Sequence, residues 1–304
     1  MRAPDANRSS ITKWALALPI VALVLLSVFT TNVSAEPNTA GPKPTARIPP
    51  IPLPCGRTRF VTVYDSHGLT MFGEQLDHFV LAQKDAELDS YTLGGASPEW
   101  LVTTKVSIRG YHYSNCEKAP LVPRSKLNQR KLRAPTIHEL FAAPTGTYER
   151  QVVLLTLGSN IPGNPTAQIP NIEKTVRQIR SHPGALCFWI GPPSMRRWNP
   201  AFAERTYQAI RDGIAAADDH QGKAGPPCYL IDSRKLSSYP DGGDGWHYGF
   251  FPAGIEGAIK WADGVAGEVK KILHDLGPPK PLSIQNLFDF ERGSRTPPFW
   301  APLP

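Results

Sequence analysis

The sequence predicts a three-layer, doubly wound α/β fold with a five-stranded parallel sheet, and three observations predict it. Five short apolar runs, at 60–64, 90–93, 152–157, 186–190 and 229–231, are bounded by Gly, Pro or Ser, as buried strands are. Segments with helical spacing alternate with them: Phe72, Leu76, Phe79 and Val80; Ile172, Val176 and Ile179; then Ile255, Ile259, Val265, Val269 and Ile272. Such alternation implies a parallel sheet covered on both faces. Four of the five runs are followed by residues able to do chemistry, and the carboxyl ends of strands are where this architecture keeps its working groups.

The chain of 304 residues is 41% apolar and 9% aromatic, which suits a packed core and excludes a collagenous, coiled-coil or wholly disordered protein. Its formal charge is +7, of which Arg2, Arg8 and Lys13 against Asp5 supply +2. The remaining excess is mild and does not point to a nucleic-acid partner.

Residues 1–35 have the plan of an export signal: a positive segment ending at Lys13, a low-polarity run over 14–29, then Val33-Ser34-Ala35 with small residues at a cleavage site. Cleavage is expected after Ala35, with an uncleaved membrane anchor as the alternative. The body is then secreted or periplasmic. Residues 36–54 form a Pro-rich linker, the folded domain spans 55–276, and 277–304 is a Pro-rich tail. The helix starts are marked by Pro98 before Glu99 and by Pro252. Within the domain, 110–146 lacks clean periodicity and carries six basic residues from Lys118 to Arg133 with no acid between Glu117 and Glu139. It is expected to be an insertion over one sheet edge, either a basic wall beside a site or a solvated loop. The four cysteines allow three pairings, and the expected one joins Cys187 to Cys228 across neighbouring strands, leaving Cys55 with Cys116.

Taken in order, the first strand is followed by Asp65-Ser66-His67-Gly68, a serine on a tight strand-to-helix turn. Read alone, Asp-Ser is also a common helix cap. Gly94-Gly95 after the second strand lets a backbone NH approach a ligand closely, and Asn160 after the third places a neutral donor at the same edge. A glycine-rich loop after the last strand carries Asp244 and His247, three apart, a spacing that lets the acid orient the imidazole. Asp232 and Asp241 are the alternative acids. His78, His112, His138, His182 and His220 share no metal-ligand spacing. Trp198 and Trp246 are candidates for a sugar platform or for buried packing.

At this point the chain resembles the SGNH hydrolases, the GDSL esterase/lipase superfamily, over roughly residues 60–276. The resemblance implies a flavodoxin-like fold with Ser66 as nucleophile, His247 as base and Asp244 as its orienter. It implies an oxyanion hole of the Ser66 NH, Gly95 (Gly94 as the second choice) and Asn160, and no metal or organic cofactor. The run from Asp65 to Phe72 and Gly73 is similar to the variant in which a histidine follows the serine, and Trp189-Ile190-Gly191-Pro192-Pro193 is similar to that family's loop after strand four. Two departures stand out: Tyr64 replaces the usual glycine before Asp65, and Ile161 replaces the usual acid after Asn160. His67 is expected to support the turn or touch substrate, and Asp65 to be structural. The implied activity is ester hydrolysis on a small-molecule or glycan substrate, most plausibly removal of an O-acetyl or short acyl group. An O-acyltransferase of the same fold, or a non-catalytic glycan-binding protein that kept it, are the alternatives; the oligomeric state is left open.

Overall fold

Strand β1 (Thr58–Tyr64) lies at the centre of the sheet, and six of its seven residues are buried, as a strand covered on both faces must be. It pairs in parallel with β2 (Ala86–Leu93) on one side and β5 (Arg150–Thr156) on the other. Beyond β5 come β6 (Ala185–Ile190) and β7 (Cys228–Ile231), also parallel. The computed structural model describes residues 56–116, 123–124, 127–141, 148–161, 163–182, 184–221, 227–249 and 251–278. The expected export signal, linker, Cys55–Cys116 bridge and most of the tail lie outside the described residues.

The expected five parallel strands are all present, but the sheet has seven, ordered β4-β3-β2-β1-β5-β6-β7. The additional pair, β3 (Val106–Cys116) and β4 (Arg130–Arg133), runs antiparallel along the β2 edge. Part of the segment expected as an irregular insertion is therefore sheet. The cause is local: β3 is covered on one side only, so its buried residues never form an apolar run, and β4 has a single apolar residue, Leu132. Neither strand has an apolar run of its own to mark it, and pairing on the β2 edge supplies its hydrogen bonds.

Side chains alternate between two cores. Val61, Val63, Val153, Leu155 and Trp189 pack towards the face that holds α4 (Ile169–Arg180) and α5 (Pro200–Gln221). Phe60, Tyr64, Leu154 and Phe188 pack towards α1 (Met71–Leu81) and α6 (Pro252–Asp275). Here Phe72 of α1 stacks on Trp261 of α6 with ring centroids 3.5 Å apart, fixing the two helices against each other. Each such fully buried side chain contributes about 1.5–3 kcal/mol. Short helices α2 (Trp100–Thr103) and α3 (Ile137–Phe141) complete the fold. Cys187 and Cys228 occupy paired positions on β6 and β7 and form the expected disulfide.

Candidate active site

The turn that carries Ser66 is built by its neighbours. Asp65 receives no side-chain space of its own: it is fully buried, its NH donates to the Thr156 carbonyl (3.1 Å), and its Oδ1 accepts the His67 NH (2.9 Å). This caps a 3-10 turn, Ser66–Leu69. Thr70 then donates its hydroxyl to the His67 carbonyl (2.7 Å) and accepts the Phe72 NH (3.3 Å), opening α1. Tyr64, the residue where a glycine was expected, turns away into the core and donates its hydroxyl to Asp77 (2.7 Å). Burial, with the Asp77 charge beside it, pushes the Tyr64 phenol well above its ordinary range, so it stays a neutral donor. The space a bulky residue requires is found at Gly68, where an added Cβ would stand 2.3 Å from the Tyr64 Cβ. Tyr111 of β3 closes the turn from the side by donating its hydroxyl to the Gly68 carbonyl (2.8 Å).

Asp77 gathers further partners: the hydroxyls of Ser90 (2.9 Å) and Tyr113 (2.5 Å) and the guanidinium of Arg124 (2.5 Å). Arg124, one of the basic residues expected on a wall or solvated loop, is buried and lies over the Tyr111 ring (4.7 Å). It braces the serine turn from beneath.

The structure brings Ser66, His247 and Asp244 into one hydrogen-bonded series. Ser66 Oγ lies 3.1 Å from His247 Nε2, and His247 Nδ1 lies 2.7 Å from Asp244 Oδ2. Asp244 Oδ1 also accepts the backbone NH groups of Trp246 and His247, each at 2.8 Å. Burial pushes the Asp244 carboxyl up, but the His247 ring and these two NH groups outweigh it and hold the group well below the usual carboxylate range. An ionised acid fixes the proton on Nδ1, which makes Nε2, facing Ser66 Oγ, the ring atom that can accept one. Of the alternative acids, Asp232 is held by Arg234 (2.7 Å) and Asp241 stands exposed; Asp244 is the one bonded to the ring.

The donors expected at the oxyanion position are unequal. The Gly94 NH donates to the Arg109 carbonyl (2.9 Å) and is unavailable, which leaves Gly95. Gly95 takes φ +84°, a conformation that favours glycine, and its NH has no partner among the described residues. Asn160 donates one amide hydrogen to the Ala96 carbonyl (3.2 Å), tying its loop to the Gly95 turn and keeping the second hydrogen for a ligand. Ser66 opens its turn, so its NH lacks an intrahelical partner. Ile161, in place of an acid, is buried and its NH closes the loop onto the Gly158 carbonyl (3.2 Å). Ser66, Asn160 and His247 line one cavity of about 300 Å³, together with His67, Ser159, Met195 and Trp246; Gly95 is not among its lining.

His67 does more than the expected turn support. It is buried, with Nε2 3.2 Å from the Trp246 carbonyl and Nδ1 3.1 Å from Asp65 Oδ1 and 3.3 Å from Ser159 Oγ. One ring thus touches the Ser66 turn, the Asn160 loop and the His247 loop. Sequence reasoning could not find this, because Ser159 and Trp246 meet His67 only in the folded chain. Trp246 is half-buried at the cavity, whereas Trp198 packs edge-on against Phe202 and lines a neighbouring cavity that shares Met195. Among the described residues no cluster of metal-ligating side chains occurs, and no helix is long and apolar enough to cross a membrane. His112 instead bonds Asp89 (3.3 Å) and His182 stacks on Phe141; His78 and His138 are exposed.

No family model and no curated relative matches the chain. It is similar to several solved structures. One is TesA, at 13% identity and TM-score 0.44, covering 71% of this chain and 99% of that one. A second is a family 3 carbohydrate esterase of Clostridium thermocellum, at 16% identity and TM-score 0.42, covering 73% and 100%. A third is a DUF4886 family protein from Bacteroides uniformis, at 11% identity and TM-score 0.38, covering 76% and 99%.

Proposed function

We propose that the protein is an exported serine esterase of the SGNH type that removes an O-acetyl or other short acyl group from a glycan. The observation that carries this is the series Ser66, His247, Asp244, closed at 3.1 and 2.7 Å at the carboxyl edge of the sheet. Ser66 and His247, 181 positions apart in the chain, need not meet there unless the fold is arranged to activate a hydroxyl.

In this mechanism His247 Nε2 takes the Ser66 proton as Oγ attacks the ester carbonyl, and Asp244 stabilises the imidazolium that forms. The Ser66 and Gly95 NH groups and the Asn160 amide receive the developing oxyanion. His247 then gives its proton to the departing alcohol, and water releases the acyl group by the reverse path. The small cavity favours a short acyl group over a fatty chain. Export rests on the leader sequence, with the Cys187–Cys228 bridge in keeping with an oxidising compartment.

The test is hydrolysis of nitrophenyl esters of increasing chain length by the wild type, Ser66→Ala and His247→Ala. Turnover of acetate and butyrate esters that is lost in both variants supports the proposal. Turnover that survives Ser66→Ala contradicts it.

A further inference from the structure

Resting on the esterase reading, we infer that the alcohol portion of the substrate is anionic, bearing carboxylate or phosphate groups that bind arginines on both sides of the catalytic edge. The first side follows from strand register. Leu93, the last residue of β2, pairs with Gly110 of antiparallel β3, so residues 106–109 of β3 run on past the edge where Ser66 stands. Arg109 accepts the Gly94 NH on its carbonyl (2.9 Å) and so lies beside the Gly94–Gly95 turn. A Cβ built on Gly94 would stand 3.4 Å from the Arg109 Cβ and 3.7 Å from Leu69 of the nucleophile turn, which puts the root of the Arg109 side chain on the nucleophile's side. Arg130, register partner of Gly110 on β4, and Lys131 after it are two further exposed cations on this edge strand.

The opposite side is the loop after β6. Met195 lines the catalytic cavity, and the next two residues are Arg196 and Arg197, both exposed. The Arg197 NH donates to the Gly245 carbonyl (3.2 Å) and the Arg196 guanidinium to the Gly243 carbonyl (3.1 Å), so this loop is fastened to the loop of Asp244 and His247.

These cations have no acid partner among the described residues. Buried or half-buried arginines elsewhere are matched, Arg59 with Asp89, Arg124 with Asp77, Arg180 with Asp218 and Arg234 with Asp232. Among the described residues no ion pair joins a carboxylate to Arg109, Arg130, Lys131, Arg196 or Arg197; the exposed Asp244 on the loop beside Arg196 and Arg197 is bonded to the His247 ring. Like charges kept unpaired on two rims of one cleft raise the local concentration of an anion, and a guanidinium binds carboxylate or phosphate in a bidentate manner.

The experiment compares kcat/KM of the purified protein on O-acetylated polygalacturonate, O-acetylated poly(glycerol phosphate) and neutral O-acetylated xylan. The wild type should prefer at least one anionic polymer, with the preference falling steeply between about 0.05 and about 0.3 M salt. The variant R109Q/R196Q/R197Q should lose about tenfold of the anionic-over-neutral ratio. Preference for the first polymer identifies carboxylate, and for the second phosphate. A ratio unchanged in the variant, or xylan used as well as either polyanion, overturns the inference. If no ester is hydrolysed, binding of the unacetylated polyanions is measured directly on the same proteins. Binding lost in the variant then upholds the anionic cleft while retiring the esterase reading, and absence of binding overturns the cleft.

Discussion

His67 Nε2 lies 3.2 Å from the carbonyl oxygen of Trp246, the residue immediately before His247. A carbonyl only accepts, so Nε2 carries a hydrogen, and the Ser66 turn thereby holds the His247 loop across a gap of 179 residues in sequence. The side-chain amide of glutamine reaches the place of imidazole Nε2, whereas that of asparagine reaches the place of Nδ1. His67→Asn should therefore lower kcat on nitrophenyl acetate about tenfold with KM little changed, a loss of about 1.4 kcal/mol of transition-state stabilisation. His67→Gln should restore most of it. Equal loss in both variants would mean that the Trp246 contact is not what matters.

Asn160 is predicted to act on the transition state. Asn160→Ala should reduce kcat by about a hundredfold or more, the usual effect of removing one oxyanion donor, while KM stays close to that of the wild type. A variant whose change is confined to KM would place Asn160 in substrate binding only.

Acid should weaken the fold through Asp89. Burial pushes its carboxyl up, but hydrogen bonds from His112 and Ser114 and the Arg59 guanidinium overcome this and hold it well below its ordinary value. Because the folded value lies below the unfolded one of about 3.9, the stabilisation is complete above that pH and is lost as pH falls beneath it. Urea midpoints at about pH 7 and about pH 3 should thus differ more in the wild type than in Asp89→Asn. The variant should also be about 3 kcal/mol less stable at neutral pH, since it leaves buried Arg59 without its ion partner.

The Cys187–Cys228 bridge closes a loop 41 residues long and should contribute about 2–4 kcal/mol. Replacing both cysteines with alanine should lower the urea midpoint accordingly. A midpoint equal to that of the wild type would contradict this.

The parallel strands were legible because a strand buried on both faces is written as an unbroken apolar run, as in the stretch that became β6. The chemistry was legible because each candidate follows such a run: Ser66, Gly95 and Asn160 needed only the strand ends to be located, and the spacing of Asp244 and His247 was local. What was missed depends on contacts distant in sequence. Tyr111 and Tyr113 of β3 do alternate with His112 and Ser114, a faint period-two signal, but the bulge between Ser107 and Gly110 interrupts it. Arg124 looked like a surface cation because its partner, Asp77, lies on another element. The compensation at Gly68 for Tyr64 was hidden for a different reason: the two are only four apart, but they come into contact only once the turn has closed.

Activation of the Ser66 hydroxyl by His247, as proposed above, is read out by covalent trapping. The protein is treated with a fluorophosphonate and the adduct is mapped by mass spectrometry, alongside His247→Ala. One adduct is expected, on Ser66, formed at least about a hundredfold more slowly in His247→Ala. An adduct on another residue, or equal rates in the two proteins, would contradict it.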